Sequence, residues 1–134
     1  MTFCLDTNTV IAFFKGRGGV TQRLLSLPPA SIVLPAVVVY ELLVGVRRAR
    51  HPQRMGDQLR SFLDPVRIVD FGLAEADAAA SIRIELEAKG QPIGPHDLLI
   101  AATALAGNHT LVTHNMREFA RVTGLRVEDW QGDA

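Results

Sequence analysis

The stretch TFCLDTN, residues 2–8, joins a short apolar run to three side chains that favour helix N-termini. The apolar residues predict a strand. Asp6, Thr7 and Asn8 supply side-chain oxygens that accept hydrogen bonds from the free N–H groups of a following helix. This helix is predicted to run to about Lys15, where a glycine-rich cluster ends it. A short strand leading directly into a helix is the first unit of an α/β pattern.

The same alternation continues along the rest of the chain. Further strands are predicted at residues 31–34, 66–69, 110–113 and 125–127. Further helices are predicted at residues 35–48, 73–89, 95–106 and 116–121. Strands that alternate with helices predict a parallel, right-handed α/β sandwich.

Three details of these helices are open to test. The run Val37-Val38-Val39 suits a strand as well as a helix. Residues 95–106 are almost entirely apolar from Leu98 onward, which is typical of a fully buried helix. The helix at 73–89 is indicated by apolar residues at helical spacing: Leu73, Ala76, Ala79, Ile82 and Leu86.

The composition describes one electrically neutral globular domain. Of 134 residues, 48% are hydrophobic, which suffices for a single buried core, and we expect one domain over residues 1–134. Lys and Arg number 14, as do Asp and Glu, so the net charge gives no sign of a nucleic-acid partner. Cys4 is the single cysteine, which excludes an internal disulfide framework and a cysteine-ligated zinc cluster.

The apolar stretch at residues 32–46 does not predict a membrane span. It is interrupted by Pro35 and Glu41 and is too short to cross a bilayer. No basic leader precedes the first apolar run. We therefore expect a cytoplasmic protein without membrane association.

Carboxylates follow the predicted strands at the edge where parallel sheets bind ligands, beyond the carboxyl ends of the strands. Asp6 follows the first strand, and Asp97 lies in the first turn of a predicted helix. His114 and Asn115 follow the fourth strand, with Glu118 one helical turn further on. These side chains are expected to meet at one edge of the sheet.

Glu41 is a carboxylate placed among apolar neighbours. No Lys or Arg lies within one helical turn of it, and burying an unpaired carboxylate is costly. We therefore expect a cation from outside the chain to be its partner. Mg²⁺ suits such a cluster, because it prefers oxygen ligands and is held by one or two carboxylates plus substrate phosphates. The chemistry best served is metal-assisted hydrolysis of a phosphodiester.

Four motifs in order give the chain a family resemblance. They are Asp6-Thr7-Asn8, Tyr40-Glu41-Leu42, Gly94-Pro95-His96-Asp97 and Thr113-His114-Asn115-Met116-Arg117-Glu118-Phe119. Over essentially the whole chain, the sequence resembles a PIN-domain ribonuclease, and more narrowly the VapC toxins of bacterial toxin–antitoxin pairs. The resemblance implies a PIN-like three-layer α/β/α sandwich with a central, mainly parallel sheet.

The resemblance also implies an activity and its partners. It implies an endoribonuclease toxin that depends on Mg²⁺, with Mn²⁺ as a substitute, and that cleaves RNA. Transfer RNA is the expected substrate class, with initiator tRNA as a candidate. Inhibition by a VapB-type antitoxin, a homodimer and a toxin–antitoxin hetero-oligomer are implied as well. Operator DNA would be contacted only through the antitoxin.

The family's functional positions map onto residues of this chain. Asp6, Glu41 and Asp97 match the acidic triad, with Asp6 and Asp97 as the expected metal ligands. Asn115 stands where many PIN domains have Asp, and Glu118 is the candidate to restore this fourth catalytic charge. Four residues are expected to orient carboxylates or water: Thr7, Asn8, Thr113 and Asn115. Three arginines at helical spacing are candidates for contacts with the RNA backbone: Arg47, Arg50 and Arg54.

Each of these residues also has a structural explanation. Asp6 and Asp97 would serve at helix N-termini without any metal. Glu41 and Glu118 would be solvated surface residues, and the three arginines would form a solvated face or an antitoxin contact. For the adjacent His96 a structural role is favoured over a substrate contact.

Other functions remain as alternatives to cleavage. The first is a catalytically silent PIN-like module that only binds a protein partner. Haloacid-dehalogenase-like phosphatases and receiver domains also place Asp after the first strand, but both need a lysine near the phosphoryl group. Only Lys15 and Lys89 are available, and Lys89 ends an amphipathic helix.

Overall fold

Five short strands form one sheet in a computed structural model of the chain, which describes residues 1–131. The strands are β1 (Phe3–Leu5), β2 (Ile32–Pro35), β3 (Arg67–Val69), β4 (Thr110–Val112) and β5 (Val127–Glu128). Their order across the sheet is β3-β2-β1-β4-β5, and every neighbouring pair is parallel. This confirms the predicted α/β architecture with a parallel sheet. Residues 132–134 of the predicted domain lie outside the described part.

The helices cover the sheet and bury its central strands. They are α1 (Thr7–Phe14), α2 (Val20–Leu25), α3 (Ala36–Arg47), α4 (Pro52–Leu63), α5 (Leu73–Ala88), α6 (Pro95–Ala106) and α7 (Met116–Phe119). All residues of β1, β2 and β4 are buried, as expected for parallel strands covered on both faces. Within residues 1–131, no helix combines the length and apolar character needed to cross a membrane.

Cys4 in β1 and Trp130, two residues after β5, are both part of the buried core. Cys4 lies in register between Val33 of β2 and Leu111 of β4 and is fully buried. Trp130 is 8% exposed and packs edge-on against Phe3, with ring centroids 5.3 Å apart. The indole is therefore part of the core and not a platform for a base.

Two helices that the sequence patterns did not indicate are α2 and α4. Six-residue α2 lies between a glycine cluster and Pro28-Pro29, too short for a periodic pattern. Helix α4 is mostly polar and buries only Leu59. The Val37-Val38-Val39 run, which suited either structure, is helical and lies in α3, which begins directly after Pro35.

The existence of α4 corrects the proposed arginine face. Arg47 is the last residue of α3, Arg50 lies in the connecting turn and Arg54 belongs to α4, so the three do not share one helix. Arg47 lines a different surface hollow from the one that Arg50 and Arg54 line. The interruption follows from Pro52, which begins a new helix because proline favours a first turn.

Two burial expectations also need correction. The buried stripe of α5 consists of Ala79, Ile82 and Leu86, whereas Leu73 is 88% exposed because the first turn extends beyond the core. Ala76 is exposed as well. Burial of α6 is complete only from residue 100 to 104. Its first turn opens to solvent at the site described next.

Candidate active site

Asp6 lies between the carboxyl ends of β1 and β4 and is 6% exposed. It is the N-cap of α1, where its Oδ1 accepts a hydrogen bond from the Thr9 backbone N–H at 2.9 Å. Burial raises the pKa of Asp6, hydrogen bonds from Thr113 and Thr9 lower it, and the Glu41 carboxylate raises it; the net direction is upward. Asp6 therefore caps α1 and at the same time lies among the other carboxylates of the site.

Glu41 reaches the same site from the middle of α3. Its Oε1 accepts a hydrogen bond from the Thr7 hydroxyl, and its Oε2 lies 2.9 Å from Nδ1 of His96 in α6. The Tyr40 ring meets the His96 ring edge-on at a centroid distance of 5.7 Å. Glu41 thus has a hydrogen-bond partner within the chain that the sequence did not indicate, and the expected cation from outside stays a prediction. Spacing along α3 carries no signal for a partner 55 residues away.

Asp97 and Glu118 form a carboxyl pair at the other side of the site. Asp97 lies in the first turn of α6 and Glu118 in α7. Burial raises the pKa of Asp97 to about 6, together with a hydrogen bond to Glu118 and the charges of Glu118, Asp6 and Glu41. At neutral pH both carboxylates of this pair are therefore ionised despite their mutual repulsion and partial burial.

Glu118 is held in its ionised form by its neighbours. Its Oε1 accepts a hydrogen bond from the Gly94 N–H at 3.0 Å, and its Oε2 accepts one from Nδ2 of Asn115 at 3.0 Å. Burial raises the pKa of Glu118, but these hydrogen bonds, the one to Asp97 and the charge of Arg121 lower it overall. Glu118 is thus the carboxylate beside Asp97, and Asn115 supports it.

The residues expected to orient the carboxylates fall into two groups. Thr7, Thr113 and Asn115 bond to Glu41, Asp6 and Glu118 respectively. Thr113 Oγ1 also accepts the Asn115 backbone N–H at 3.0 Å, which links the two sides of the site. In residues 1–131, Asn8 makes no side-chain hydrogen bond to these carboxylates and lines a neighbouring recess.

Gly94 lies against the Asp97–Glu118 pair, whose carboxyl groups are hydrogen-bonded to each other. A Cβ at position 94 would lie 3.5 Å from Asp97 Oδ2 and 3.9 Å from Glu118 Oε1. Over the described residues, no Lys or Arg forms an ion pair with Asp6, Asp97 or Glu118.

No three His, Cys, Asp or Glu side chains among residues 1–131 converge closely enough to enclose an ion by themselves. Mg²⁺ needs no such cage, because one or two carboxylates, waters and substrate phosphates complete its octahedron. Asp6 and Asp97 are carboxylates of the type that such a donor set requires. The carboxylates therefore fit the hard, divalent cation that the sequence predicts.

The pKa of Asp97 predicts pH-dependent stability in metal-free protein. Between its ordinary value of 3.8 and about 6, folded Asp97 keeps a proton that the unfolded chain has released. The contribution of this group to the free energy of unfolding therefore falls as the pH rises through that window. We expect Asp97→Asn to unfold at a higher temperature than wild type above about pH 6, and the difference to vanish near about pH 4. Thermal unfolding in EDTA measures this; a difference that stays constant with pH would contradict it.

Comparisons with known proteins agree on one family. The sequence model of the PIN domain matches residues 3–125. The chain is 34% identical over 130 residues to the tRNA(fMet)-specific endonuclease VapC of Shigella flexneri, covering 97% of this chain and 98% of that protein. It is 37% identical over 132 residues to ribonuclease VapC2 of Rickettsia felis, with the same coverage of 97% and 98%. The fold is similar to a chain of VapBC2 from Rickettsia felis, crystallised with a DNA fragment from their promoter. That likeness has a TM-score of 0.90 and 35% identity, and it covers 97% of this chain and 99% of that one.

Proposed function

The chain belongs to the PIN domain family, among its VapC ribonucleases, and from this premise we propose that it is a metal-dependent endoribonuclease toxin acting at the carboxylate site. One observation carries the proposal. The start of α1, the middle of α3, the first turn of α6 and α7 bring four carboxylates together: Asp6, Glu41, Asp97 and Glu118. Within residues 1–131, no Lys or Arg forms an ion pair that would neutralise Asp6, Asp97 or Glu118. Structural caps alone would not require this convergence.

The proposed mechanism assigns each carboxylate a task. Asp6 and Asp97 would hold Mg²⁺ or Mn²⁺, which when bound neutralises charge on the scissile phosphate and activates water. Glu118, kept ionised by Gly94 and Asn115, accepts a hydrogen bond from the attacking water and orients it. Glu41, fixed by two hydrogen bonds, keeps the negative potential of the site high. The products are a 5′-phosphate and a 3′-hydroxyl.

Transfer RNA is the proposed substrate class, with initiator tRNA as the first candidate. The support is the name of the Shigella flexneri relative, a tRNA(fMet)-specific endonuclease, together with its 34% identity over 97% of this chain. Arg47, Arg50 and Arg54 are exposed and stay candidates for backbone contacts, now as parts of two helices and a turn.

The decisive test is cleavage of initiator tRNA transcript by antitoxin-free protein. We expect cleavage in Mg²⁺ or Mn²⁺, loss of cleavage in EDTA, and recovery when either ion is restored. An elongator tRNA transcript serves as the substrate control. Undiminished cleavage in EDTA would overturn the metal-dependent mechanism. Growth arrest that persists on expression of Asp97→Asn would instead favour the silent interaction module.

A VapB-type antitoxin is the proposed partner, and we propose that it contacts an apolar groove beside the site. The groove has a volume of about 450 Å³ and is lined by exposed Phe14 and Met55, buried Leu42 and Leu59, and Glu41 at one side. An apolar segment that folds on binding would cover the groove and bring an Arg or Lys to the carboxylates. Operator DNA would be bound through the antitoxin, in a cytoplasmic complex; the homodimer stays a prediction.

The Thr113 hydroxyl gives a further prediction. Thr113→Val keeps the buried shape but removes the group that bonds Asp6 and accepts the Asn115 N–H. We expect cleavage to slow about 10- to 100-fold, the usual cost of losing a group that orients metal ligands. Thr113→Ser restores the hydroxyl and is expected to stay within a few-fold of wild type. Steady-state cleavage rates measure both; equal rates for the Val and Ser variants would contradict the assigned role.

A further inference from the structure

A recess of about 380 Å³ adjoins the carboxylate site and is not used by the mechanism above. Its polar walls come from Asn8 on α1, Arg17 after α1, His114 and Asn115 after β4, and Gln131. Asn8 is two residues from Asp6, and Asn115 bonds Glu118. The recess and the carboxylate site therefore share a wall.

Arg17 is held at this recess by the way α1 ends. Gly16 takes a positive φ of 65°, its N–H bonds the Phe13 carbonyl at 3.1 Å, and the Arg17 N–H bonds the Ala12 carbonyl at 2.9 Å. This pair of bonds is a Schellman ending, which fixes the backbone of the residue after the glycine. Gly18, also at positive φ, lies so close to the Gln131 carbonyl that a Cβ would collide with it. The turn bearing Arg17 is thus clamped against the segment after β5.

The Arg17 guanidinium supplies the charge of the recess. The side chain is exposed, and no carboxylate within residues 1–131 lies at ion-pair distance from it. Of the residues that the structure describes, no Asp or Glu lines the recess. A positive, hydrogen-bonding hollow beside a negative cleavage site has the charge expected for an anionic group of the substrate.

His114 lines the recess, and one of its two ring nitrogens already has a hydrogen-bond partner. Its Nδ1 lies 2.9 Å from Oδ2 of Asp129, whose Oδ1 accepts the Gln131 N–H at 2.9 Å. A carboxylate can only accept, so Nδ1 carries the proton and donates. In the neutral ring Nε2 is then an acceptor, fixed in orientation by Asp129. A ribose 2′-hydroxyl is a donor of suitable chemistry, and it is the group that distinguishes RNA from DNA.

We propose that this recess is a nucleotide subsite that positions the RNA strand beside the scissile bond. Arg17 and the Asn8 amide bind a backbone phosphate, and His114 Nε2 accepts a hydrogen bond from the 2′-hydroxyl of the same nucleotide. The assignment rests on the proposed ribonuclease function and adds to it where the strand lies. Arg17, Asn8 and His114 are binding residues in this scheme, and Asp129 is a positioning residue.

The Arg17 contact is tested by binding and by kinetics. In an Asp97→Asn background, fluorescence anisotropy with initiator tRNA transcript is expected to show about tenfold weaker binding for Arg17→Gln. The slope of log K against log salt is expected to fall in magnitude by about 0.7 to 0.9. With Asp97 restored, KM rises about tenfold while kcat changes less than about twofold. Arg17→Lys keeps the salt slope and so recovers part of the loss.

Arg83→Gln is the matched control, because it removes the same charge from an exposed residue of α5. It is expected to leave the affinity, the salt slope and KM unchanged. An Arg17→Gln variant that behaves like Arg83→Gln would overturn the phosphate contact. A loss of Tm without a change in salt slope would show that Arg17 only closes α1.

The His114 contact is tested with single 2′-deoxy substitutions in a synthetic RNA that contains the mapped cleavage site, or in synthetic fragments that together span the initiator tRNA if no cleavage occurs. One deoxy position is expected to weaken binding about fivefold in the Asp97→Asn background. That loss should vanish when His114→Phe is added, because the acceptor is already absent. Equal deoxy losses with and without His114 would overturn the ribose contact.

Failure of the subsite and failure of the proposed function give different results. If the wild type cleaves RNA but both arms fail, only the subsite is wrong. If the wild type does not cleave in any metal, the ribonuclease mechanism is wrong, and the binding arms still decide whether the recess holds RNA.

Discussion

Replacing Asp6 by Asn is expected to lower the rate of RNA cleavage about a thousandfold or more, while the domain stays folded. In the proposed mechanism this carboxylate is a ligand of the cation at the scissile phosphate, so losing its charge removes a ligand and not merely a nearby polar group. Asn keeps the size of the side chain and an oxygen that accepts the Thr9 N–H, so the cap of α1 survives. Because burial raises the pKa of Asp6, the neutral side chain also relieves a desolvation cost in metal-free protein.

The comparison needs a carboxylate of the same type that has no part in the site. Asp77 lies exposed on α5, and Asp77→Asn makes the same change of charge and shape. Single-turnover cleavage with both variants, purified without antitoxin, separates the effects. We expect Asp77→Asn to cleave RNA at the wild-type rate. Asp6→Asn is expected to have a Tm equal to or above that of the wild type. Near-wild-type cleavage by Asp6→Asn would remove Asp6 from the mechanism and leave it as a cap.

Much of the fold follows from local patterns, and the missing parts have physical causes. Phe3, Cys4 and Leu5 of β1 and Leu111 and Val112 of β4 are apolar because both strands are buried on two faces. Helix α4 was not predicted because it is mostly polar, although Leu59 is buried and Phe62 and Leu63, one turn further on, pack partly buried against the core. Leu73 is predicted to be buried because helical spacing identifies the apolar face of α5. Spacing does not show that the first turn of α5 extends beyond the core it packs on.

The candidate site was predictable to the extent that chain topology places strand ends together. Asp6 and Thr113 meet because β1 and β4 are neighbours in the sheet. The pairing of Glu41 with His96 was not predictable, since it depends on how α3 and α6 pack. A net charge of zero was equally uninformative, because the carboxylates gather at the strand ends while Arg17 lies in the adjoining recess, which no Asp or Glu of residues 1–131 lines.

Phe119 is the residue of α7 on which the position of Glu118 depends. Helix α7 has four residues, and Phe119 is its one buried side chain, with 1% exposure. The short helix gains little from its own hydrogen bonds, so the buried ring is what fixes it to the sheet. Glu118, its neighbour in sequence, then reaches Asp97 with its two oxygens already bonded to Gly94 and Asn115.

Phe119→Ala is expected to lower the free energy of unfolding by about 3 to 5 kcal/mol, the usual cost of emptying a fully buried phenylalanine site. The Tm should fall by roughly 10 °C or more for a domain of this size. Urea unfolding gives the first quantity and a thermal scan the second. Phe14→Ala serves as the control, because Phe14 is 36% exposed and its loss should cost about 1 kcal/mol. Equal losses for the two variants would mean that α7 is not anchored by its aromatic ring. Cleavage should fall further than the folded fraction does, because an unanchored α7 leaves Glu118 free to move away from Asp97.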